Sequence, residues 1–463
     1  MSLRFFIKTY GCQMNERDSE ASATALLNAG YEAVKSEKDA DILIFNTCSV
    51  RDQAERKAVG KIGIMKKIKR RKPDLIIGVV GCMAQNKKEK LFEELPHIDF
   101  ILGTDQLHTL VDTVKREEIA RAKCIKTEFD SSDDALEGMD GHLILYPENG
   151  DEISKIFKGN SSSAFVSLMR GCNRFCSYCI VPYVRGREKS RKTESILQEC
   201  RMLADKGIKE LMLLGQNVAA YGYPTGQLTP VRDESPFAEL LKEICKIDGI
   251  ERIRFTSPHP ACFNDKLIYA IGELEKICDN VHLPLQSGSN SILDAMGRGY
   301  TSEEYLNIVK KLKACRTGIT FSTDIIVGFP GETEKDFEAT RNVMETVGFD
   351  NAFIFKFSPR TGTKAAEKED NIPQKVKEER NALLLKVLKK TTAEHNSRLV
   401  GTTQNILVEG ISKRNSERWY GRTTTNKVTV FTPYAGITPG DIINVTIDRA
   451  TEMTLFGSVL NKD

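Results

Sequence analysis

The chain of 463 residues is long enough for about three domains, and its 40% hydrophobic and 28% charged residues are typical of a globular protein. We expect a cytoplasmic protein without a membrane span, because no run approaches about 18 consecutive apolar residues and the N-terminus lacks a signal-peptide pattern. The net charge of +3 excludes a histone-like protein but leaves room for local basic patches.

The N-terminal part of the chain predicts an α/β domain. Three apolar runs, at residues 5–7, 41–45 and 75–80, are each followed by a helix-like segment. Continuous apolar strands joined by helical crossovers favour a parallel sheet that is covered on both faces. We therefore predict a domain over residues 1–127.

An acidic segment follows this domain. Residues 128–152 include nine acidic residues and no Lys or Arg. This composition predicts a solvated connector, which we place at residues 128–158, or an acidic surface loop within one domain.

Alternating strand and helix patterns predict a barrel over residues 159–397. The predicted strands are six apolar runs, at residues 164–169, 210–214, 252–256, 281–285, 319–327 and 352–357. Six such units favour a closed or partly closed (β/α) barrel, with a single open sheet as the alternative. A helix rich in Lys, Glu and Leu, at residues 376–399, ends this part of the chain.

The segment from residue 402 to residue 459 has a different pattern. Short alternating runs at residues 404–408, 428–431 and 442–445 are separated by glycine-containing turns. This pattern predicts a small all-β barrel, and we place the last domain at residues 398–463.

Twelve cysteines indicate metal or redox chemistry, because a reducing cytoplasm disfavours disulfides. Cys172, Cys176 and Cys179, here called the central triad, follow a predicted strand with three and then two residues between them. Structural zinc sites and iron–sulfur clusters usually take four protein ligands, so three thiolates in one loop imply an open coordination position. Half of a zinc ribbon, completed by a distant Cys or His, is the alternative.

Cys12, Cys48 and Cys82, here called the N-terminal triad, each follow a predicted strand closely. The carboxyl ends of parallel strands meet at one edge of a sheet, so we expect the three thiolates to converge there. This predicts a second three-ligand site with one open iron, unless each is an ordinary buried core cysteine. The remaining cysteines show no such spacing and are interpreted as structural: Cys124, Cys200, Cys245, Cys262, Cys278 and Cys315.

The central triad resembles the signature of the radical S-adenosylmethionine (SAM) superfamily. The resemblance implies a 4Fe–4S cluster with three irons held by Cys172, Cys176 and Cys179, and the fourth by the amino and carboxylate groups of SAM. In that superfamily, electron transfer from the cluster breaks SAM into methionine and a 5'-deoxyadenosyl radical.

The N-terminal triad, and a C-terminal segment that resembles the RNA-binding TRAM domain, make the chain similar to the radical SAM methylthiotransferases. Residues 11–15, Gly-Cys-Gln-Met-Asn, are similar to the tRNA-modifying branch of that family. The resemblance implies a MiaB-type enzyme that uses two 4Fe–4S clusters and SAM. Its reaction would add a methylthio group to carbon 2 of N6-isopentenyladenosine beside the tRNA anticodon, without a side chain as acid, base or nucleophile.

The resemblance also implies partners. We expect a tRNA anticodon stem-loop as substrate, an electron donor protein such as a flavodoxin or ferredoxin, and a sulfur donor. We expect the protein to be a monomer.

By the same resemblance, seven residues are candidates for SAM contact: Tyr178, Gly215, Gln216, Asn217, Gln286, Ser287 and Gly328. Glycine allows a ligand to approach the backbone, and amides and hydroxyls offer hydrogen bonds. Position at the carboxyl ends of barrel strands favours a functional role. Tight strand–helix turns are the structural alternative.

Three basic stretches are candidates for RNA contact. Residues 51–72 contain ten basic and two acidic residues, and residues 170–192 contain seven basic and one acidic residue. The third stretch, in the small barrel, combines cations with aromatic rings: Lys413, Arg414, Trp419, Tyr420, Arg422 and Lys427. Cations neutralise phosphates and rings stack on bases. A solvated helix face is the alternative for residues 51–72.

Other functions stay open from the sequence. The same chemistry directed at another tRNA adenosine derivative or at a ribosomal-protein aspartate is one alternative. A non-catalytic iron–sulfur or zinc protein that binds RNA is another, although the open coordination position of both triads argues against it.

Overall fold

The computed structural model describes residues 2–120, 122–130, 162–224, 227–230 and 234–460. Most of the predicted acidic connector lies outside the described residues. The chain divides into two compact units. Unit 1 comprises residues 1–159, 167–173 and 179–199, and unit 2 comprises residues 160–166, 174–178 and 200–463. The domain boundaries given above stay predictions.

Unit 1 is built on a six-stranded sheet. Its strands are β1 (Arg4–Thr9), β2 (Glu32–Ala33), β3 (Ile42–Thr47), β4 (Ile76–Gly81), β5 (Phe100–Leu102) and β6 (Cys124–Lys126). Their order in the sheet is β2-β1-β3-β4-β5-β6, and every neighbouring pair is parallel. The predicted parallel sheet is confirmed. The strands β2, β5 and β6 add to it, and their two or three residues are too short for a periodic pattern to indicate.

Both faces of this sheet are covered. Ile44 belongs to one hydrophobic cluster and its neighbour Phe45 belongs to another, and successive strand residues point to opposite faces. The helices of this unit are α1 (Gln13–Asn28), α2 (Asp52–Arg71), α3 (Cys82–Lys87), α4 (Lys90–Glu94), α5 (Leu110–Ala120) and α6 (Val181–Arg185). A short antiparallel pair, β8 (Met169–Arg170) and β9 (Lys189–Ser190), also belongs to unit 1.

Unit 2 contains the six predicted barrel strands, which are confirmed. They are β7 (Ser163–Ser167), β10 (Glu210–Leu214), β11 (Arg252–Phe255), β12 (Asn280–His282), β13 (Thr320–Val327) and β14 (Asn351–Lys356). They form two three-stranded sheets, in the orders β11-β10-β7 and β12-β13-β14. A parallel bridge between Ile253 and Ile277 joins the two sheets, which gives the predicted partial barrel.

Helices alternate with these strands. They are α7 (Thr193–Asp205), α8 (Pro236–Cys245), α9 (Asp265–Glu273), α10 (Asn290–Ala295), α11 (Ser302–Cys315), α12 (Glu334–Val347) and α13 (Gln374–Ser397). Capping boxes at Thr301 and Thr333 satisfy backbone groups at the starts of α11 and α12. The helix predicted at residues 376–399 is confirmed as α13. Among the described residues, no helix combines the length and the apolar character that a membrane span needs.

The C-terminal strands form the predicted closed barrel. They are β15 (Thr403–Ile411), β16 (Trp419–Thr423), β17 (Val428–Phe431), β18 (Ile442–Ala450) and β19 (Leu455–Val459). The barrel is attached to strand β11 of the same unit. Arg252 donates to Oδ1 of Asn405 at 2.6 Å, and Arg254 donates to the carbonyl of Thr423 at 2.7 Å. Both arginines are buried, so they fix the small barrel to the larger one.

Candidate functional site

The structure places the N-terminal triad at one edge of the unit 1 sheet. Cys48 directly follows β3 and Cys82 directly follows β4, and these strands end together at the paired residues Thr47 and Gly81. Cys12 caps the N-terminus of α1 after β1, which neighbours β3 on its other side. The three thiols therefore follow three adjacent strands.

Glycines before two of these cysteines allow the close packing. A Cβ atom added at Gly11 would lie 2.7 Å from Cβ of Cys48, and one added at Gly81 would lie 2.5 Å from Oδ1 of Asn46. Both glycines have positive φ, at 137° and 91°, a conformation that residues with a side chain rarely adopt. Only glycine brings the backbone of the first thiol so close to the second.

The surroundings of these thiols favour a bound cation. Burial raises the pKa of the Cys48 thiol, and it raises that of Cys82 to about 12. A buried thiolate is costly unless a positive charge compensates it. The backbone N–H of Val50 donates to Sγ of Cys48 at 3.3 Å, which favours the ionised form of this thiol.

The donor set fits an iron–sulfur cluster better than a single metal ion. Within the described ranges, no group of three Cys, His, Asp or Glu side chains is arranged to hold one ion. A 4Fe–4S cube binds each thiolate through a different iron, so its thiolates stand farther apart than the ligands of one ion. The three thiols of the N-terminal triad are a donor set that a 4Fe–4S cluster takes.

Charged groups that sequence reasoning missed are buried beside this triad. Asp18 is completely buried and accepts hydrogen bonds from Arg170 at 2.8 Å and from Arg185 at 2.9 Å. Arg185 also donates to Oδ1 of Asn15 at 3.1 Å. Burial by itself lowers the pKa of Arg185. The nearby Cys82 and Asp18 raise that pKa by more than burial lowers it, so it lies well above its ordinary value. The arginine therefore carries its charge at the edge of the sheet where the triad lies.

These contacts correct the expectation for three of the seven basic residues within residues 170–192. Arg170, Arg185 and Arg191 are all buried and pair with Asp18 or Glu199, so their guanidinium groups do not face RNA phosphates. The sequence showed the cluster of positive charge but not its pairing with Asp18, which lies 152 residues from Arg170 and 167 residues from Arg185 along the chain.

We expect Asp18→Asn to destabilise the protein strongly. The substitution removes the carboxylate that two buried guanidinium groups share, and breaking a buried ion pair costs about 3–5 kcal/mol. The measurement is urea unfolding of the iron-free protein. The matched control is Glu243→Gln, which removes the exposed ion pair with Lys246 and should change the free energy of unfolding by less than about 1 kcal/mol. Equal effects of the two substitutions would contradict the prediction.

In unit 2, an arginine contacts one member of the central triad. Nη1 of the buried Arg298 donates to Sγ of Cys176 at 3.4 Å. The same guanidinium donates to the carbonyl of Pro284 at 3.3 Å and to the Tyr300 hydroxyl at 3.2 Å. Ser177, the residue after Cys176, donates its backbone N–H to the carbonyl of Met296 at 2.9 Å. This part of the cysteine loop is therefore held firmly against the barrel.

The other members of the central triad belong to unit 1. Cys172 donates its backbone N–H to the carbonyl of Gly186 at 3.1 Å, and both Cys172 and Cys179 are partly exposed. Gly171 has a positive φ of 79°, and a Cβ atom there would lie 2.0 Å from the carbonyl oxygen of Arg187. Gly171, the residue before the first cysteine of the loop, must therefore be a glycine, because the backbone at Arg187 leaves no room for a Cβ atom.

Two of the candidates for SAM contact use their side chains within the protein. Oδ1 of Asn217 accepts from the backbone N–H of His259 at 2.9 Å, and the hydroxyl of Ser287 lies 3.2 Å from that of Thr340. A Cβ atom at Gly328 would lie 2.4 Å from Cγ of Lys377. These contacts fit the structural alternative for three of the seven candidates, whose contact with SAM stays a prediction.

Three residues in the left-handed region of φ lie where barrel loops begin. Phe175 follows the first strand with φ 47°, Ser257 follows β11 with φ 61°, and Gln286 follows β12 with φ 68°. Such strain in residues other than glycine is concentrated at functional sites. Tyr178, on the same cysteine loop as Phe175, packs against the apolar cluster that contains Phe329.

His259 is a further residue that the sequence did not single out. It is buried, its Nδ1 accepts the backbone N–H of Ala261 at 3.2 Å, and its Nε2 has no partner among the residues described. Burial and the charges of Arg298 and Arg174 hold its pKa well below the ordinary value. The ring is therefore neutral, and Nε2 carries the proton as a donor at the carboxyl edge of the barrel.

Comparison with known proteins assigns the chain. Residues 4–103 match the uncharacterized protein family UPF0004, residues 166–344 match the radical SAM superfamily and residues 397–460 match the TRAM domain. The chain is 46% identical to the tRNA-2-methylthio-N(6)-dimethylallyladenosine synthase of Opitutus terrae, over 99% of this chain and 97% of that protein. The synthase of Akkermansia muciniphila is 45% identical, with 98% of each chain covered. The chain belongs to this synthase family.

Solved structures show the fold of the synthase family chain independently. The radical SAM methyltransferase TsrM from Kitasatospora setae is similar with a TM-score of 0.55 and 14% identity, over 76% of this chain and 73% of that one. The cobalamin-dependent radical SAM enzyme OxsB gives a TM-score of 0.52 and 15% identity, over 84% of this chain and 56% of that one. The family resemblance stated from the cysteine motifs is confirmed.

The basic helix α2 of this synthase family member divides into paired and exposed cations. Lys61, Lys69 and Lys72 form ion pairs with Glu37, Asp99 and Asp41, respectively, so they contribute to unit 1 itself. The exposed cations of the helix are Arg56, which pairs with Asp52, and Lys57, Lys66, Lys67, Arg70 and Arg71. RNA contact by the exposed cations stays a prediction, with a solvated helix face as its alternative.

The cations of the small barrel divide in the same way. Lys427 keeps 10% of its side chain exposed and pairs with Asp350, which argues against its candidacy for RNA contact. Arg422 pairs with Glu409 at 2.9 Å and keeps partial exposure. Lys413 and Arg414 are exposed. A cation–π contact that the sequence did not suggest places Arg449 3.9 Å from the ring centre of Phe456.

Proposed function

We propose that this protein adds a methylthio group to carbon 2 of N6-isopentenyladenosine beside the tRNA anticodon. The observation that carries the proposal is the near full-length similarity to proteins named tRNA-2-methylthio-N(6)-dimethylallyladenosine synthase. Isopentenyl and dimethylallyl name the same five-carbon group on the adenine.

The central triad holds one 4Fe–4S cluster and the N-terminal triad holds a second, each with one iron left for a ligand from outside the chain. When bound, the clusters and SAM supply the radical, the methyl group and the sulfur attachment that acid–base chemistry cannot provide at an unactivated C–H bond. No side chain is proposed as an acid, base or nucleophile. The chain's own part is to hold the thiolates, to exclude water from them and to place the adenine.

SAM lies at the carboxyl edge of the barrel, against Tyr178, Gly215, Gln216, Asn217, Gln286, Ser287 and Gly328. The strained φ of Gln286 supports this placement. Asn217 and Ser287 also fix the loops that carry His259 and the start of α10, because their side chains bond to those parts of the protein.

The substrate is the anticodon stem-loop of a tRNA, which the match to the TRAM domain supports. An electron donor such as a flavodoxin or ferredoxin, a separate sulfur donor, a monomeric state and a cytoplasmic location complete the proposal. These last four rest on the family alone.

We expect the double variant Lys413→Ala and Arg414→Ala to weaken tRNA binding. Each cation lost from a phosphate contact reduces the slope of log K against log salt by about 1. The slope should therefore fall by roughly 2. Filter binding at several salt concentrations measures it, and Lys246→Ala, which removes an exposed cation directly after α8, is the control. An unchanged slope in the double variant would exclude this loop from the tRNA interface.

Three substrates test the proposed function directly. They are an anticodon stem-loop with N6-isopentenyladenosine, the same stem-loop with unmodified adenosine, and a ribosomal-protein peptide that contains the target aspartate. Mass spectrometry of the products should show a methylthio gain on the first alone. A methylthio gain on the second or the third substrate would show that the proposed substrate is wrong and that the corresponding alternative is right. Absence of 5'-deoxyadenosine with all three would favour the non-catalytic RNA-binding alternative.

A further inference from the structure

Arg185 follows the central triad along the chain and lies beside the N-terminal triad in space. It ends α6, six residues after Cys179, and α6 packs against α3, which begins with Cys82. Ile180 and Val184 of this segment form one apolar cluster with Cys82. The hydroxyl of Thr104 donates to the carbonyl of Val184 at 2.6 Å, which fixes the end of α6.

One side of the Arg185 guanidinium is firmly held. Its Nη2 donates to Oδ2 of Asp18 at 2.9 Å and to Oδ1 of Asn15 at 3.1 Å. The thiol of Cys12 donates to the same Asn15 oxygen at 3.4 Å. The arginine and the first thiol of the N-terminal triad thus meet at one shared acceptor. When Cys12 loses its proton to bind iron, Oδ1 of Asn15 no longer accepts a hydrogen bond from this thiol and keeps the one from Arg185.

The other side of the guanidinium is unsatisfied. Nη1 of Arg185 is buried and has no hydrogen-bond partner among the described residues. A buried charged donor without an acceptor is unfavourable, and native proteins rarely keep one without a reason. The acceptors that the protein part lacks are the thiolate and sulfide sulfurs of a cluster on the N-terminal triad.

We propose that Arg185 is a positioning residue for that cluster, anchored by Asp18 and Asn15 on one side and donating from Nη1 to a cluster sulfur on the other. The inference rests on the proposed function, because it requires a cluster on the N-terminal triad. Hydrogen bonds to sulfur and nearby positive charge favour the reduced form of a cluster, which carries one more negative charge. Arg185 therefore raises the reduction potential of this cluster.

The same segment links the two triads. Gly186, directly after Arg185, accepts the backbone N–H of Cys172 at 3.1 Å.

The test is a redox titration of the full-length chain, followed by electron paramagnetic resonance. A background in which Cys172, Cys176 and Cys179 are alanine leaves only the N-terminal triad to bind a cluster. Arg185→Gln removes the charge and the Nη donors, Arg185→Lys keeps the charge, and Arg17→Gln is the control. Arg17 is equally buried in unit 1 but pairs with Glu199 at 2.5 Å.

We expect Arg185→Gln to make one-electron reduction roughly tenfold less favourable, a shift of about 59 mV to lower potential. Arg185→Lys should shift it less and Arg17→Gln should leave it unchanged. Loss of iron from Arg185→Gln, with iron retained by Arg17→Gln, would equally support the proposal. Full iron content and an unchanged potential in Arg185→Gln would overturn it. If the background chain with native Arg185 binds no cluster, the proposed function fails first, and the inference fails with it.

Discussion

Cys48→Ala should abolish the methylthio product while SAM cleavage continues. The substitution removes the middle ligand of the N-terminal triad, on the strand between those that lead to Cys12 and Cys82. The central triad follows another part of the chain and keeps all three thiols. We expect product formation to fall more than about 100-fold, beyond the usual effect of losing an outer-shell partner of a metal site. Mass spectrometry of the digested tRNA measures the product, and chromatography measures 5'-deoxyadenosine.

Cys124→Ala is the matched control for this experiment. Cys124 is also a buried cysteine of the unit 1 sheet, but it packs in the hydrophobic core of that unit. The control should keep both product formation and SAM cleavage. Normal product from Cys48→Ala would show that the N-terminal triad holds no required cluster, and the two-cluster assignment would then be wrong.

The second large effect concerns the other triad. Cys176→Ala should reduce 5'-deoxyadenosine formation to the level of a reaction without enzyme, because a cluster held by the two remaining thiolates lacks a ligand. The product must disappear with it. The loss should exceed about 100-fold, as for Cys48. Iron analysis should show that the iron bound by the N-terminal triad remains.

Cys278→Ala serves as the control in unit 2. This cysteine is buried at the start of the second half of the barrel and contributes to no triad. It should retain deoxyadenosine formation. Persistent deoxyadenosine in Cys176→Ala would remove the central triad from the radical chemistry and leave the assignment of SAM without support.

The sheet and the two barrels could be predicted from the sequence because the hydrophobic patterns of their strands are local. Each of the three long strands of unit 1 and each of the six barrel strands appears as an apolar run, and alternating runs showed the small closed barrel. The placement of the N-terminal triad followed from one topological rule, that parallel strands end at the same edge. The prediction that the three thiols meet at one edge of the sheet needed no knowledge of side-chain contacts.

The charged surroundings of the triads could not be predicted from the sequence. Asp18 and Arg185 are separated by 167 residues along the chain, and Cys176 and Arg298 by 122. Nothing in a periodic pattern connects such positions. A dense basic stretch indicates RNA contact and buried ion pairs equally well, and only the partners found in space distinguish the two.

The assignment of SAM contacts from motifs stays a prediction. Asn217 and Ser287 lie at strand ends, as a ligand site requires, yet their side chains already bond to the protein. Position along a barrel strand predicts which residues lie near the site. It does not predict which of them have hydrogen-bonding groups left for a ligand.

The central claim is that one chain uses two clusters and SAM to methylthiolate a prenylated tRNA adenine. The most direct test is an anaerobic reaction of the iron-reconstituted full-length protein with reductant, an N6-isopentenylated anticodon stem-loop and SAM whose methyl group is deuterated. The account predicts about eight irons per chain. It also predicts released 5'-deoxyadenosine and an adenine that gains a methylthio group with the deuterated methyl. Protein that carries both clusters and yet forms neither deoxyadenosine nor the labelled adenine would contradict it.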